Sequence, residues 1–266
     1  MPGAGVPQPR RFGAVNWRGV WSLVRRDILR FYRNIWESLA GPAVSSLLFL
    51  AVFELALGGG DLVPGMSLAQ FVAPGIVVFS LTHSAFETAA LPVIYDKLEG
   101  MIADVIGAPL TPLEITLGYA LSATSSGLTT GAVIFGLMAV FIDLPVPSAP
   151  AALAFAAGAA LLFALFGVIV GIWSDRWDNY AAAETFVMMP LGLLSGAFFA
   201  VEHLPPEARW AFEVNPIFHA VVGVRYGLTG YAPDSVAVAG IVLAVLSAGL
   251  GLTAWRLLSI GYKIKP

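Results

Sequence analysis

Any chemistry in this chain must come from few side chains, because only 12% of its 266 residues are charged and none is cysteine. The ionisable groups near or within apolar stretches are His83 and the acids Glu54, Glu87, Asp143 and Glu184. Placing a charge in a membrane costs about 2.5–3.5 kcal/mol even on lenient insertion scales, so each is a functional candidate by default. Glu87 follows His83 by one helical turn on the same face, which allows a hydrogen-bonded pair. With Glu184 they could relay a proton or form the wall of a polar cavity. The plainer alternative is that all four acids are interfacial or helix-terminal groups within a turn or two of a span end.

Other reaction classes find no footing. A P-loop needs Lys followed by Ser or Thr after a glycine-rich turn, yet Lys97, Lys263 and Lys265 are followed by Leu, Ile and Pro. His83, His203 and His219 show no HExxH and no carboxylate at metal-ligand spacing, and there is no GxSxG. Ser125 and Ser126, inside an apolar stretch, are expected to back-bond to their own helix. No metal or cofactor is expected on this chain. A membrane-embedded enzyme would lack its nucleophile.

Charge is concentrated instead between Leu91 and Glu114, where Asp96, Lys97, Glu99 and Asp104 lie among prolines 92, 109 and 112. Such density cannot sit in hydrocarbon, so this reads as a water-facing loop. Val93, Ile94, Leu98, Met101, Ile102, Val105 and Ile106 recur near the helical period, which predicts a short amphipathic helix over 96–106. A helix of that kind at the mouth of a membrane protein is suited to receive a push from a soluble partner.

The elements that hold these groups follow from composition. With 58% hydrophobic residues and a mean hydropathy of +0.82, the chain is expected to be an all-α integral membrane protein forming one transmembrane domain over 1–266. A net charge of −3 is too small to argue for nucleic acid or an acidic partner, so no nucleic-acid partner is expected, and the seven Trp read as interfacial anchors. Residues 1–16 form a flexible tail, 17–36 an interfacial amphipathic helix with Arg18, Arg25, Arg26, Arg30 and Arg33 opposite its apolar face, and 256–266 a second tail. Lipid is therefore one expected partner.

About 20 apolar residues cross a bilayer. Six spans are expected within 38–255, at 38–57, 68–91, 113–141, 151–173, 181–201 and 236–255. Seven Lys and Arg precede the first span, Lys97 and Arg176 fall in the second and fourth loops, and Arg256, Lys263 and Lys265 follow the last. That bias places both termini and the charged loop in the cytoplasm. Arg209 and Arg225 fall outside it, in a stretch from His203 to Asp234 that is too apolar for a solvated loop and too short to cross. Two short re-entrant helices capping a cavity, or one flat interfacial helix anchored by Trp210, would fit. Glycines four apart at 127/131, 167/171, 192/196 and 223/227 predict close helix packing.

Two runs of residues carry a resemblance. Lys97-Leu98-Glu99-Gly100, Ala108-Pro109-Leu110 and Glu114 to Gly118 form the first. Pro190, Leu194-Ser195-Gly196, Phe198, Leu204-Pro205, Asn215-Pro216 and Arg225-Tyr226-Gly227 form the second. In their order and spacing the whole chain resembles the permease subunits of type 2 ABC exporters, and among them the short six-span permeases of the nodulation-factor-exporter kind. Met101 stands where such permeases commonly carry Thr.

The resemblance implies a homodimer in a bacterial inner membrane, bound to two copies of a separate ATPase that holds the ATP and Mg. It implies that Asp96, Lys97, Leu98, Glu99, Gly100, Met101 and Asp104 couple to that ATPase. Spans two and five would line the route, pointing to Phe79, His83, Phe86, Glu87, Met188, Met189, Leu193, Phe198 and Phe199. Leu204, Pro205, Asn215, Pro216 and Arg225 would belong to the re-entrant exit. A proton-coupled carrier using His83, Glu87 and Glu184 is the alternative reading.

Overall fold

The computed structural model describes residues 15–57, 61–63, 65–199 and 205–264. Most of the expected N-terminal tail, His203, Leu204, Lys265 and the Glu54 side chain lie outside them. Helix α1 (Trp17–Arg33) starts where the Asn16 side chain accepts from the Gly19 amide at 3.1 Å, and it ends with Arg30 and Arg33 against the negative pole of its own dipole. It buries Val20, Leu23, Val24, Asp27 and Phe31. It stops at Asn34 and not at 36, and Ile35 and Trp36 open α2 (Ile35–Leu57).

A short antiparallel ribbon, β1 (Asp61–Val63) with β2 (Met66–Ser67), precedes the central helix. Ser67 and Gln70 then form a reciprocal cap, each bond 3.2 Å, that starts α3 (Leu68–Leu98). Helix α3 runs 31 residues, seven beyond the expected end at Leu91. After α4 (Ile102–Gly107), Thr111 and Glu114 form a second reciprocal cap on α5 (Pro112–Ala139). Then come α6 (Ala149–Trp173), α7 (Trp177–Ala183), a π-helical turn at Glu184–Met188, α8 (Met189–Leu193), α9 (Pro206–Glu213), α10 (Pro216–Thr229) and α11 (Val236–Ile260).

Five of these, α2, α3, α5, α6 and α11, are long and apolar enough to cross a membrane. The fifth expected span is not one such helix. Its chain is helical from 177 to 193 in three pieces and leaves the helix at Leu194. In the π turn the Met189 amide bonds Glu184 O one residue further back than in an α-helix, and Pro190 then has no amide to continue the ladder.

Helix α3 is the axis, packed by α5, α6 and α10. Among apolar chains in lipid the hydrophobic effect gives helices little reason to associate, so close backbone approach must supply the contact energy. The glycine pairs provide it. A Cβ on Gly127 would lie 2.7 Å from Leu81 O, and one on Gly171 would lie 2.8 Å from Val93 Cβ. Gly223 lies against Phe155 and Gly227 against Ala152, so α10 runs antiparallel to α6 as a buried part of the core.

Candidate functional site

The end of α3 carries a ledge. Glu99 caps the helix, Gly100 takes φ +75°, a left-handed conformation that residues with a side chain rarely adopt, and the chain folds back into the six-residue α4. Val105 is buried and Ile102 half-buried, while Leu98, Glu99, Gly100, Met101, Asp104 and Ile106 face outward. The expected helix over 96–106 is therefore two pieces joined at a glycine.

Asp96 and Lys97, expected on the water-facing side, turn inward. Asp96 is 1% exposed and accepts from Arg26 Nη2 and from the Tyr119 hydroxyl, both at 3.0 Å. Asp27, also buried, accepts from Arg26 Nε at 2.8 Å, and burial pushes its carboxyl above the ordinary carboxylate range although Arg26 opposes the shift. Lys97 donates to Ile172 O at 2.7 Å and Ser174 O at 2.6 Å, capping α6, and reaches Asp175 at 3.3 Å. Lys263 holds the same Asp175 at 2.6 Å, and this bond with the Lys97 contact keeps the Asp175 carboxyl below its usual range. Both pins have one physical cause: a charge that leaves water must bring its counter-charge.

Sequence reasoning missed Asp27, Tyr119 and Asp175. Asp27 had a visible signal, being the single acid in a 17-residue helix that carries five Arg. Tyr119 had none, since nothing local distinguishes it from an interfacial tyrosine.

A second group forms between α2, α3 and α8. Phe79, His83, Met189 and Phe198 line a cleft of about 270 Å³ together with Pro42, Ser45, Ser46, Phe49, Ile76 and Ser80. His83 Nε2 lies 3.0 Å from Glu184 Oε1 at the start of the π turn, so its partner is Glu184 and not Glu87 one turn away. Phe198 stacks on Phe53 with centroids 5.3 Å apart, and Leu193 and Phe199 are exposed nearby. Three expected members fall elsewhere. Phe86 is fully buried between Phe166 and Tyr180, and Met188 is fully buried in the core. Glu87 lines a separate cavity towards α1.

Pro205 precedes α9, and Asn215 with Pro216 starts α10. Asn215 Nδ2 donates to Leu191 O at 2.7 Å and Leu194 O at 2.8 Å, satisfying carbonyls released where α8 ends. Arg225 is 1% exposed; it donates to Phe71 O at 3.1 Å and Gly196 O at 2.9 Å, with its guanidinium 3.9 Å above the Phe71 ring. It fastens the irregular backbone after α8 to α3.

The family model described as "ABC-2 type transporter" matches residues 18–229. The chain is 28% identical over 247 residues to "Inner membrane transport permease YadH" of Escherichia coli K12, covering 92% of this chain and 96% of that protein. It is 29% identical over 225 residues to "Nodulation protein J" of Rhizobium leguminosarum bv. trifolii, covering 82% and 83%. Against "Nodulation protein J" of Rhizobium meliloti the identity is 27% over 214 residues, covering 79% and 80%.

Proposed function

The chain belongs to the ABC-2 type transporter family, and from that premise we propose that it is the membrane-spanning subunit of an ATP-driven exporter whose ATP and Mg are bound by a separate ATPase. The observation that carries the proposal is the ledge. A stiff central helix ends in an exposed shelf bearing Leu98, Met101 and Ile106 beside Glu99 and Asp104, fixed to α1, the end of α6 and the chain after α11 by buried or bridging ion pairs and to α5 by the Tyr119 hydroxyl. A shelf so tied moves the helices it is tied to when it is pushed.

In this reading Leu98, Glu99, Gly100, Met101 and Asp104 touch the ATPase, whereas Asp96 and Lys97 transmit the force without touching it. Two ATPase copies serve two copies of this chain. The exposed apolar faces of the π turn and α8, with Phe186 77% exposed, suit a second copy. The cleft at His83 and the α9–α10 pair would then lie along the outward route of a hydrophobic, amphiphilic or lipid-linked substrate. Arg26, Arg30, Lys97 and Lys263 gather at the ledge end, which supports a cytoplasmic ledge and cytoplasmic termini in a bacterial inner membrane.

The test is to purify the chain with its ATPase and compare Glu99→Ala with the unaltered complex. The expected result is retained ATP hydrolysis with export reduced at least about tenfold, an interaction loss of about 1.4 kcal/mol or more. Normal export by that variant would refute the ledge assignment. The His83–Glu184 pair keeps a proton-coupled carrier as the second reading. Flux driven by a proton gradient through the chain alone would favour it.

A further inference from the structure

A cavity of about 150 Å³ lies between α1, the α1–α2 joint, α3 and α5, apart from both the ledge surface and the His83 cleft. Two groups of opposite sign line it, and the Arg30 Nη1 atom and the Glu87 carboxylate each lack a hydrogen-bond partner among the described residues. Arg30 Nη1 is buried without one, and its nearest carboxylate oxygen, on Asp27, is 4.0 Å away. Glu87 makes neither a hydrogen bond nor an ion pair among the described residues, while its neighbour His83 is bonded to Glu184. Buried polar atoms in a folded chain are almost always satisfied, so the unpartnered Arg30 Nη1, with the half-buried Glu87 lining the same cavity, points to a missing occupant.

The lining says what that occupant carries. Arg30 reaches its carboxylates, Asp27 and Asp96, only at 4.0 and 3.9 Å, and Glu87, whose charged neighbours are His83 and Glu184, forms no ion pair of its own. An ammonium group answers Glu87, and the Phe31 and Tyr95 rings in the lining suit a cation. An anionic oxygen on the same occupant answers Arg30 Nη1. At about 150 Å³ the cavity has room for several waters, which suits a lipid headgroup.

Depth agrees. Helix α3 has 31 residues and so is about 46 Å long, some 16 Å more than a hydrocarbon core. Its charged residues Asp96 and Lys97 put the surplus at that end. The last eleven residues, at about 1.5 Å each, span that surplus, so Glu87 sits at the polar boundary.

We propose that this cavity binds the headgroup of a zwitterionic aminophospholipid from the bilayer, with Glu87 taking the primary ammonium and Arg30 the phosphate. Binding requires neither the ATPase nor transport, so the proposal stands apart from the export reading. The test is native mass spectrometry of the purified chain with dioleoyl phosphatidylethanolamine and, in parallel, dioleoyl phosphatidylglycerol. The expected result is a preference of about tenfold for the ethanolamine lipid, the size of one charge-assisted hydrogen bond. Glu87→Gln should abolish the preference while leaving phosphatidylglycerol binding unchanged, and Glu87→Asp should retain part of it. Equal binding of the two lipids, or an undiminished preference in Glu87→Gln with an unchanged melting temperature, would overturn the proposal. Displacement of the lipid by glycerophosphoethanolamine at equal concentration would overturn the assignment to a bilayer lipid.

Discussion

Replacing Asp96 by Ala separates the role its sequence position suggests from the role its surroundings impose. In the fold the carboxylate accepts from Tyr119 and Arg26 at 3.0 Å each and is 1% exposed. Removing it leaves the Tyr119 hydroxyl buried without an acceptor, which costs about 1–3 kcal/mol. Breaking a fully buried ion pair costs about 3–5 kcal/mol. The Arg26 side chain is 35% exposed, and it keeps Asp27, so its share falls to about 1 kcal/mol. The total is about 2–4 kcal/mol, which for a chain of this size lowers the melting temperature by roughly 5–15 °C.

Intrinsic tryptophan fluorescence during heating in detergent reads this directly. Tyr119→Phe should cost less, and the double variant should cost less than the sum, since both substitutions remove one shared bond. Glu99→Ala, three residues on and exposed, should leave the melting temperature unchanged. An Asp96→Ala protein melting within about 1 °C of the unaltered chain, or strictly additive costs with Tyr119→Phe, would refute the reasoning.

Three further outcomes follow from the packing and the pins. Gly167→Val should prevent folding to a monodisperse species on size-exclusion chromatography, because even its Cβ would press on Phe86 O and lie 2.8 Å from Ala89 Cβ, whereas Gly136→Ala meets nothing within 4 Å and should be neutral or stabilising by up to about 1 kcal/mol. Arg225→Met keeps volume but strips donors from Phe71 O and Gly196 O, and should destabilise by about 2–4 kcal/mol in the same melting assay. Asp175, held below its ordinary value of 3.8 by Lys263 and Lys97, stabilises the fold fully above that pH and loses the contribution as pH falls through its folded value. Asp175→Asn should therefore flatten the acid limb of melting temperature against pH, by a small amount because the side chain is half exposed.

The sequence by itself determined the solvent, the class and most of the axial layout. Apolar runs of bilayer length cannot remain in water, so α2, α3, α5, α6 and α11 were legible from composition and length alone. The glycine pairs were legible too, since a residue without a side chain at every fourth position has one evident use in lipid. Tertiary structure alone decided which charges are wet. Asp96 and Lys97 occupy the same charged stretch as Glu99 and Asp104, and only the arrival of Tyr119, Arg26 and the end of α6 buries the first two and leaves the others outside. It also decided that His83 meets Glu184, 101 residues away, and not the acid one turn along its own helix. Local periodicity fixes the direction in which a side chain points from its own helix, but the partner waiting there is set by long-range packing, and in a low-dielectric interior that partner decides whether a charge can stay.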